Sequence, residues 1–161
     1  MRKLRLPTTE ELAQAKANTP LLERSVIEAQ WAKKHPQHQM YGSQQMMLIV
    51  LMAYMQSPLI KDYMTRSYLP EPLIFSLGLR SGASTLIQVI REAYPDLVRV
   101  VSVSKELQLI LGGDCFSMRS KTKPNFKDKI VIFDGNFHWH DRKFIDHVRS
   151  SMPICYISFG S

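Results

Sequence analysis

The residues best suited to chemistry lie in one stretch, Leu73–Leu86, LIFSLGLRSGASTL. An apolar run, Leu73–Leu77, passes into a glycine-containing turn, Gly78–Gly82, and Ser84 and Thr85 open a segment of helical character. Strand, tight turn and helix in that order make a phosphate-binding loop. The helix N-terminus presents N–H groups and a partial positive charge, and glycine lets the backbone approach an anion. Against the pattern G-x-x-x-x-G-K-[ST], Ser84 stands where a hydroxyl holds magnesium, with Thr85 beside it, and Ala83 stands where the lysine belongs. The first glycine is displaced: Leu77 lies five before Gly82, and Gly78 four before. Arg80 is the cation of the turn. Its guanidinium suits phosphate, though as a planar fork rather than a point charge. The backbone N–H groups of Ser81 and Gly82 complete the anion-binding set. The plain alternative is a strand–helix turn that uses glycine for geometry.

A second candidate position, this one a carboxylate, follows the apolar run Ile130–Phe133. Asp134 ends that strand, where an aspartate can hold magnesium directly or through water. The next residue is Gly135 rather than a water-activating glutamate; Asn136, His138 and Asp141 are the nearby substitutes. The plain alternative is a turn capped by Asp134. Ser158 and Ser161 close the last apolar run, ICYISFGS. Between the two central runs, Arg119, Lys121, Lys123, Lys127 and Lys129 crowd around Phe126, opposed by Asp128. Such a stretch can track a nucleic-acid backbone or form a solvated loop. His138, His140, Asp141, Asp146 and His147 resemble the H-x-H-x-D-H zinc signature of metallo-β-lactamase-like hydrolases in residue type, but their spacing differs.

The elements that must position these groups alternate from Leu73 onward. Strands are expected at Leu73–Leu77, Leu97–Val103, Lys129–Asp134 and Ile154–Phe159, and helices at Ser84–Ala93, Lys105–Leu111 and His140–Ser150. Alternation of this kind implies an α/β fold, a three-layer sandwich around a mostly parallel sheet, whose ligands sit at the carboxyl ends of the strands. Gly78–Thr85, Asp134, Ser158 and Ser161 all fall at such ends. Residues 1–70 read as a helical prelude to the 71–161 core, the two forming one domain over 1–161. Thr8 and Glu11 form a capping-box pattern for a helix to about Asn18, and Thr19-Pro20 start a second, Leu21 to about Lys34. Leu22, Val26, Ala29 and Lys33 would give that helix its packing side, with Ile27 and Trp31 adjacent. Ser43 caps a third, methionine-rich helix to about Gln56, and residues 59–69 hold a short one.

The 161 residues fit one domain, and an apolar content of 45% is enough for its core. A net charge of +7 favours a polyanionic partner. Two cysteines in unrelated surroundings, Cys115 and Cys155, suggest a reducing compartment. The basic start, MRKLRLPTTEEL, lacks the apolar core of a signal peptide. Met46–Met55 is about half the length of a membrane span, so no membrane association is expected. A cytoplasmic location is the expectation.

Together these residues resemble the additional-strand class of P-loop NTPases, in which a further strand lies between the Walker A and Walker B strands. Within that class residues 40–161 are most similar to the ATPase domain of viral large terminases, the motors of DNA packaging. Arg80, Gly82 and Ser84 carry the arginine-containing, deviant Walker A; KIVIFD resembles the Walker B segment; ICYISFGS resembles the coupling motif. The resemblance implies ATP and magnesium as cofactors, Ser84 and Asp134 as magnesium holders, and Asp134 as the catalytic carboxylate. It further implies Gly78, Arg80, Ser81, Gly82, Ser84 and Thr85 around the phosphates and Gln44 or Gln45 reading the base. Ser158 or Ser161 would sense the γ-phosphate, and DNA would lie on the basic stretch. It places the chain in the host cytoplasm as a viral protein. The missing lysine and glutamate imply weakened or lost hydrolysis. A rival reading keeps the fold as a pseudo-ATPase that docks on a protein partner, or on further copies of itself, and binds no nucleotide.

Overall fold

The computed structural model describes residues 6, 8–11, 21–76, 81–102, 114–115, 126–134 and 149–160. Its elements run α1 (Arg24–Lys34), α2 (Gly42–Met55), α3 (Pro58–Lys61), β1 (Leu73–Ser76), α4 (Ala83–Ala93), β2 (Val98–Ser102), β3 (Asp114–Cys115), β4 (Ile130–Asp134) and β5 (Cys155–Gly160). The strands form one sheet in the order β1-β5-β4-β2-β3, and every neighbouring pair is parallel. The chain is thus of the α/β class. The expected strands lie where the apolar runs placed them. β3 was not expected: it is two residues long, without a β-branched side chain, and exists through its pairing with Val101 and Ser102 at the end of β2.

Ile130, Val131, Ile132 and Phe133 are all fully buried, as a central parallel strand covered on both faces requires. Alternation sends Val98, Val100, Ile130, Ile132, Ile157 and Phe159 into one core cluster with α1, α2 and α4. Leu86, Ile87, Val89 and Ile90 give α4 its apolar stripe on that face, each contributing about 1.5–3 kcal/mol by burial. The helical prelude and the sheet therefore share a core. Val101, Val131, Phe133 and Tyr156 point to the other face, where Phe126 and Leu69 pack on them. The helices expected over 105–111 and most of 140–150 lie outside the described residues.

The prelude differs from its sequence reading in detail. Glu11 N–H donates to Thr8 Oγ1 at 3.2 Å, the forward half of the expected capping box. α1 starts at Arg24 rather than Leu21, and its buried residues are Ile27 and Trp31, while Val26 and Ala29 are exposed. The reason lies in α4, against which α1 packs: Glu92 binds Lys34 and Gln30, and Tyr94 Oη accepts from Glu23 N–H at 2.8 Å. α2 is capped by Tyr41, not Ser43. α3 is four residues long, Pro58–Lys61, and so covers only the start of the helix expected over 59–69. Among the described residues no helix is long and apolar enough to cross a membrane.

Candidate functional site

The site is assembled where the chain enters α4, at the turn residues Ser81 and Gly82. β1 ends at Ser76, and α4 begins at Ala83 with Gly82 as its N-cap. Gly82 has φ 80° and ψ 14°, the left-handed region that glycine enters without a Cβ penalty. Its missing Cβ matters a second time. A Cβ there would lie 2.9 Å from Gln44 Cδ and 3.0 Å from Gln44 Cγ, and would collide with Nε2.

Gln44 is 2% exposed and bonded at both ends of its amide. Nε2 donates to the Gly82 carbonyl at 3.0 Å, and Oε1 accepts from Tyr41 N–H at 2.8 Å. One residue earlier, Ser43 Oγ donates to the Ser81 carbonyl at 2.8 Å. The N-terminus of α2 therefore grips two successive carbonyls of the turn. This is why Ser43 is not the cap: its hydroxyl is used on the turn, while the Gln44 side chain reaches back to the N-cap amide, the return half of a capping box. Gln44, which the resemblance assigned to base reading, thus lies beneath the turn with its amide committed to backbone. Gln45 is exposed and donates from Nε2 to the Met40 carbonyl at 3.0 Å.

On the far side of the turn, the first intrahelical bond of α4 runs from Leu86 N–H to the Gly82 carbonyl at 3.2 Å. The N–H groups of Ala83, Ser84 and Thr85 stand ahead of that ladder, where the helix carries its partial positive charge. Ser84 and Thr85 are half-buried. An anion at this end would meet backbone amides.

The parallel register aligns the other candidates. Ser76 pairs with Gly160, Phe75 with Phe159, and Phe159 with Asp134, which also pairs with Ser102. Asp134 is therefore the last residue of β4, on the carboxyl edge that also holds the β1–α4 turn. One strand, β5, separates β4 from β1, a backbone separation of about 10 Å. Ser158 lies two residues inside β5 rather than at its tip, is 2% exposed, and pairs with Ile74 and Phe133. Its neighbours Ile157 and Phe159 face the core under α4, so alternation puts Ser158 on the opposite face.

The basic stretch is divided. Lys127 is exposed, but Lys129 Nζ donates to the Asp96 carbonyl at the amino edge of the sheet, where Ile130 N–H also bonds the Leu97 carbonyl at 2.9 Å. Lys129 thus joins two segments of the fold. Gly78, Arg80, Ser161, Arg119, Lys121, Lys123, His138 and His140 lie outside the described residues. Among the described residues no group of three His, Cys, Asp or Glu side chains could hold a metal.

Other features lie away from the turn. A groove of about 540 Å³ between α1 and the following connection is lined by Trp31, His35, His38 and Met40, but not by Gly82, Ser84 or Thr85. Cys155, the first residue of β5, is fully buried, and burial pushes its thiol up to about 12, partly opposed by Arg66. It is inert rather than nucleophilic. The braces Tyr41 and Ser43 were missed in the sequence. Tyrosine is not a capping residue by type, and only the three-residue spacing from Tyr41 to Gln44 hinted at it. No protein-family model matches the chain, and neither a curated protein nor a solved structure is significantly similar to it.

Proposed function

We propose that this chain is a degenerate P-loop ATPase-like protein, similar to the terminase ATPase domain and associated with nucleotide and DNA. The observation that carries the reading is the strand order. A strand, β5, lies between the strand that feeds the glycine turn and the strand that ends in Asp134, the arrangement that defines the additional-strand class. The left-handed Gly82 at the start of α4 supports it, because such a turn exposes amides to an anion.

The residues present fit ATP and magnesium in part. Amides of the turn and Arg80 would hold phosphates, and Ser84 and Asp134 would hold the magnesium ion, which when bound supplies positive charge against the phosphates. Ser161, the residue after β5, suits the γ-phosphate better than Ser158, which is buried on the other face. Arg119, Lys121, Lys123 and Lys127 would contact DNA, with Lys129 reserved for the fold.

The second reading, a pseudo-ATPase that serves as an interaction module, is favoured by Ala83. The first helical residue carries a methyl group where the family's lysine would neutralise phosphate. Calorimetry of MgATP with the whole chain separates the two, with Ser84→Ala as control. Micromolar binding that the control loses supports the nucleotide site; no binding up to millimolar ATP supports the interaction module. For DNA, replacing Lys121 and Lys123 by Gln should weaken binding and flatten its salt dependence by about one unit of slope per contact. Affinity indifferent to those changes would dismiss the stretch as a DNA contact.

A further inference from the structure

We infer that Gln44 is the positioning residue of the turn at Gly82: it holds the Gly82 carbonyl in the orientation that receives the first rung of α4 and so fixes the amides ahead of that rung. The inference rests on the nucleotide reading for its purpose, but its geometry stands without it. A side chain 2% exposed on one helix donates to the N-cap carbonyl of another, and accepts from its own helix's N-cap amide. A carboxamide does both at once without carrying charge and at any pH, since one end accepts and the other donates. The same amide fills the space a Cβ at position 82 would need. Glycine at 82 and glutamine at 44 are therefore a matched pair. The Gly82 carbonyl also receives Leu86 N–H, the first rung of α4. Freed from Gln44, it can rotate, and that rung and the amides ahead of it lose their fixed direction. Gln44 thus acts through the turn and touches no ligand.

The test is amide hydrogen exchange of the whole chain, read by NMR as protection factors at Leu86, with Ile90 in the body of α4 as reference. Gln44→Ala should lower protection at Leu86 by about tenfold, the worth of one buried hydrogen bond, and leave Ile90 unchanged. Gln44→Glu keeps volume and the acceptor for Tyr41 and loses the donor when ionised. Its Leu86 protection should be low at pH 8 and recover toward pH 5 as the buried carboxyl takes up a proton and can donate again. The partners of Gln44 are neutral backbone groups, so the unaltered chain serves as the control at both pH values. Unchanged Leu86 protection in Gln44→Ala would overturn the inference. So would equal losses at Leu86 and Ile90 in Gln44→Glu that ignore pH, because they would make Gln44 an ordinary core residue. If the unaltered chain binds no MgATP, the nucleotide reading fails while the exchange data still decide the role of Gln44.

Discussion

Gly82→Ala is the substitution whose cost the structure specifies most fully. The residue sits at φ 80°, and an L side chain in the left-handed region costs about 1–2 kcal/mol. The added Cβ would also lie 2.9 Å from Gln44 Cδ. That amide is held at both ends and cannot swing away without breaking a hydrogen bond. An unsatisfied buried amide adds about 1–3 kcal/mol. The expected total is about 2–5 kcal/mol, a large share of the stability of an ordinary domain. Urea unfolding followed by far-UV circular dichroism measures it: the midpoint should fall by about 1–2 M with the slope unchanged. The mechanism predicts a particular coupling. In a Gln44→Ala background the collision is gone, so adding Gly82→Ala should cost only the left-handed term. The double variant should be less destabilised than the sum of the two by about 1–3 kcal/mol. Strict additivity, or a Gly82→Ala cost below about 0.5 kcal/mol, would refute the pairing.

Three further outcomes are expected. Arg66 donates to the Leu59 and Pro153 carbonyls at 2.8 Å each and to the Ile154 carbonyl, so it ties the segment after α3 to the start of β5; Arg66→Met should cost about 2–3 kcal/mol in urea unfolding, and a change under 0.5 kcal/mol would contradict that role. With its thiol pushed up to about 12 by burial, Cys155 in a Cys115→Ser background should react with a disulfide reagent at pH 8 at least ~1000-fold more slowly when folded than in urea; comparable rates would show it to be accessible. The hydrogen bond from Lys34 holds the Glu92 carboxyl below the usual carboxylate range. Its stabilisation is present above that range and fades as pH falls through the lowered value. Lys34→Met should remove this pH dependence at a cost below about 1 kcal/mol, since the pair is partly exposed; an unaltered acid limb of the stability curve would contradict it.

The sheet was legible because its strands are short apolar runs bounded by turn residues: Ile130–Phe133 can be little else than a buried strand. Its order was not readable from periodicity. The resemblance implied that some strand lies between the one feeding the glycine turn and the one ending in Asp134, but not which; that β5 takes the place is set by pairing between distant segments. β3 escaped notice because two residues carry no pattern of their own and depend on β2 for hydrogen bonds. Within the site, Gly82 and Ser84 were visible through spacing. The work of Ser43 and Gln44 was not, because it depends on a contact across 38 residues of chain that no local pattern encodes. Their types fitted a cap and a base reader equally well. The misassigned side of α1 has the same origin: Val26 and Ile27 are alike in sequence, and the surface of α4 decides which one is buried.

The most direct measurement is an NMR titration of the isotopically labelled chain with MgATP, following the backbone amides of Gly82, Ala83, Ser84 and Thr85. The expected result is saturable shifts that are largest at these four amides and lost in Ser84→Ala. Amides that stay unmoved up to millimolar nucleotide, or shifts confined to the groove beside Trp31 and His38, would contradict it.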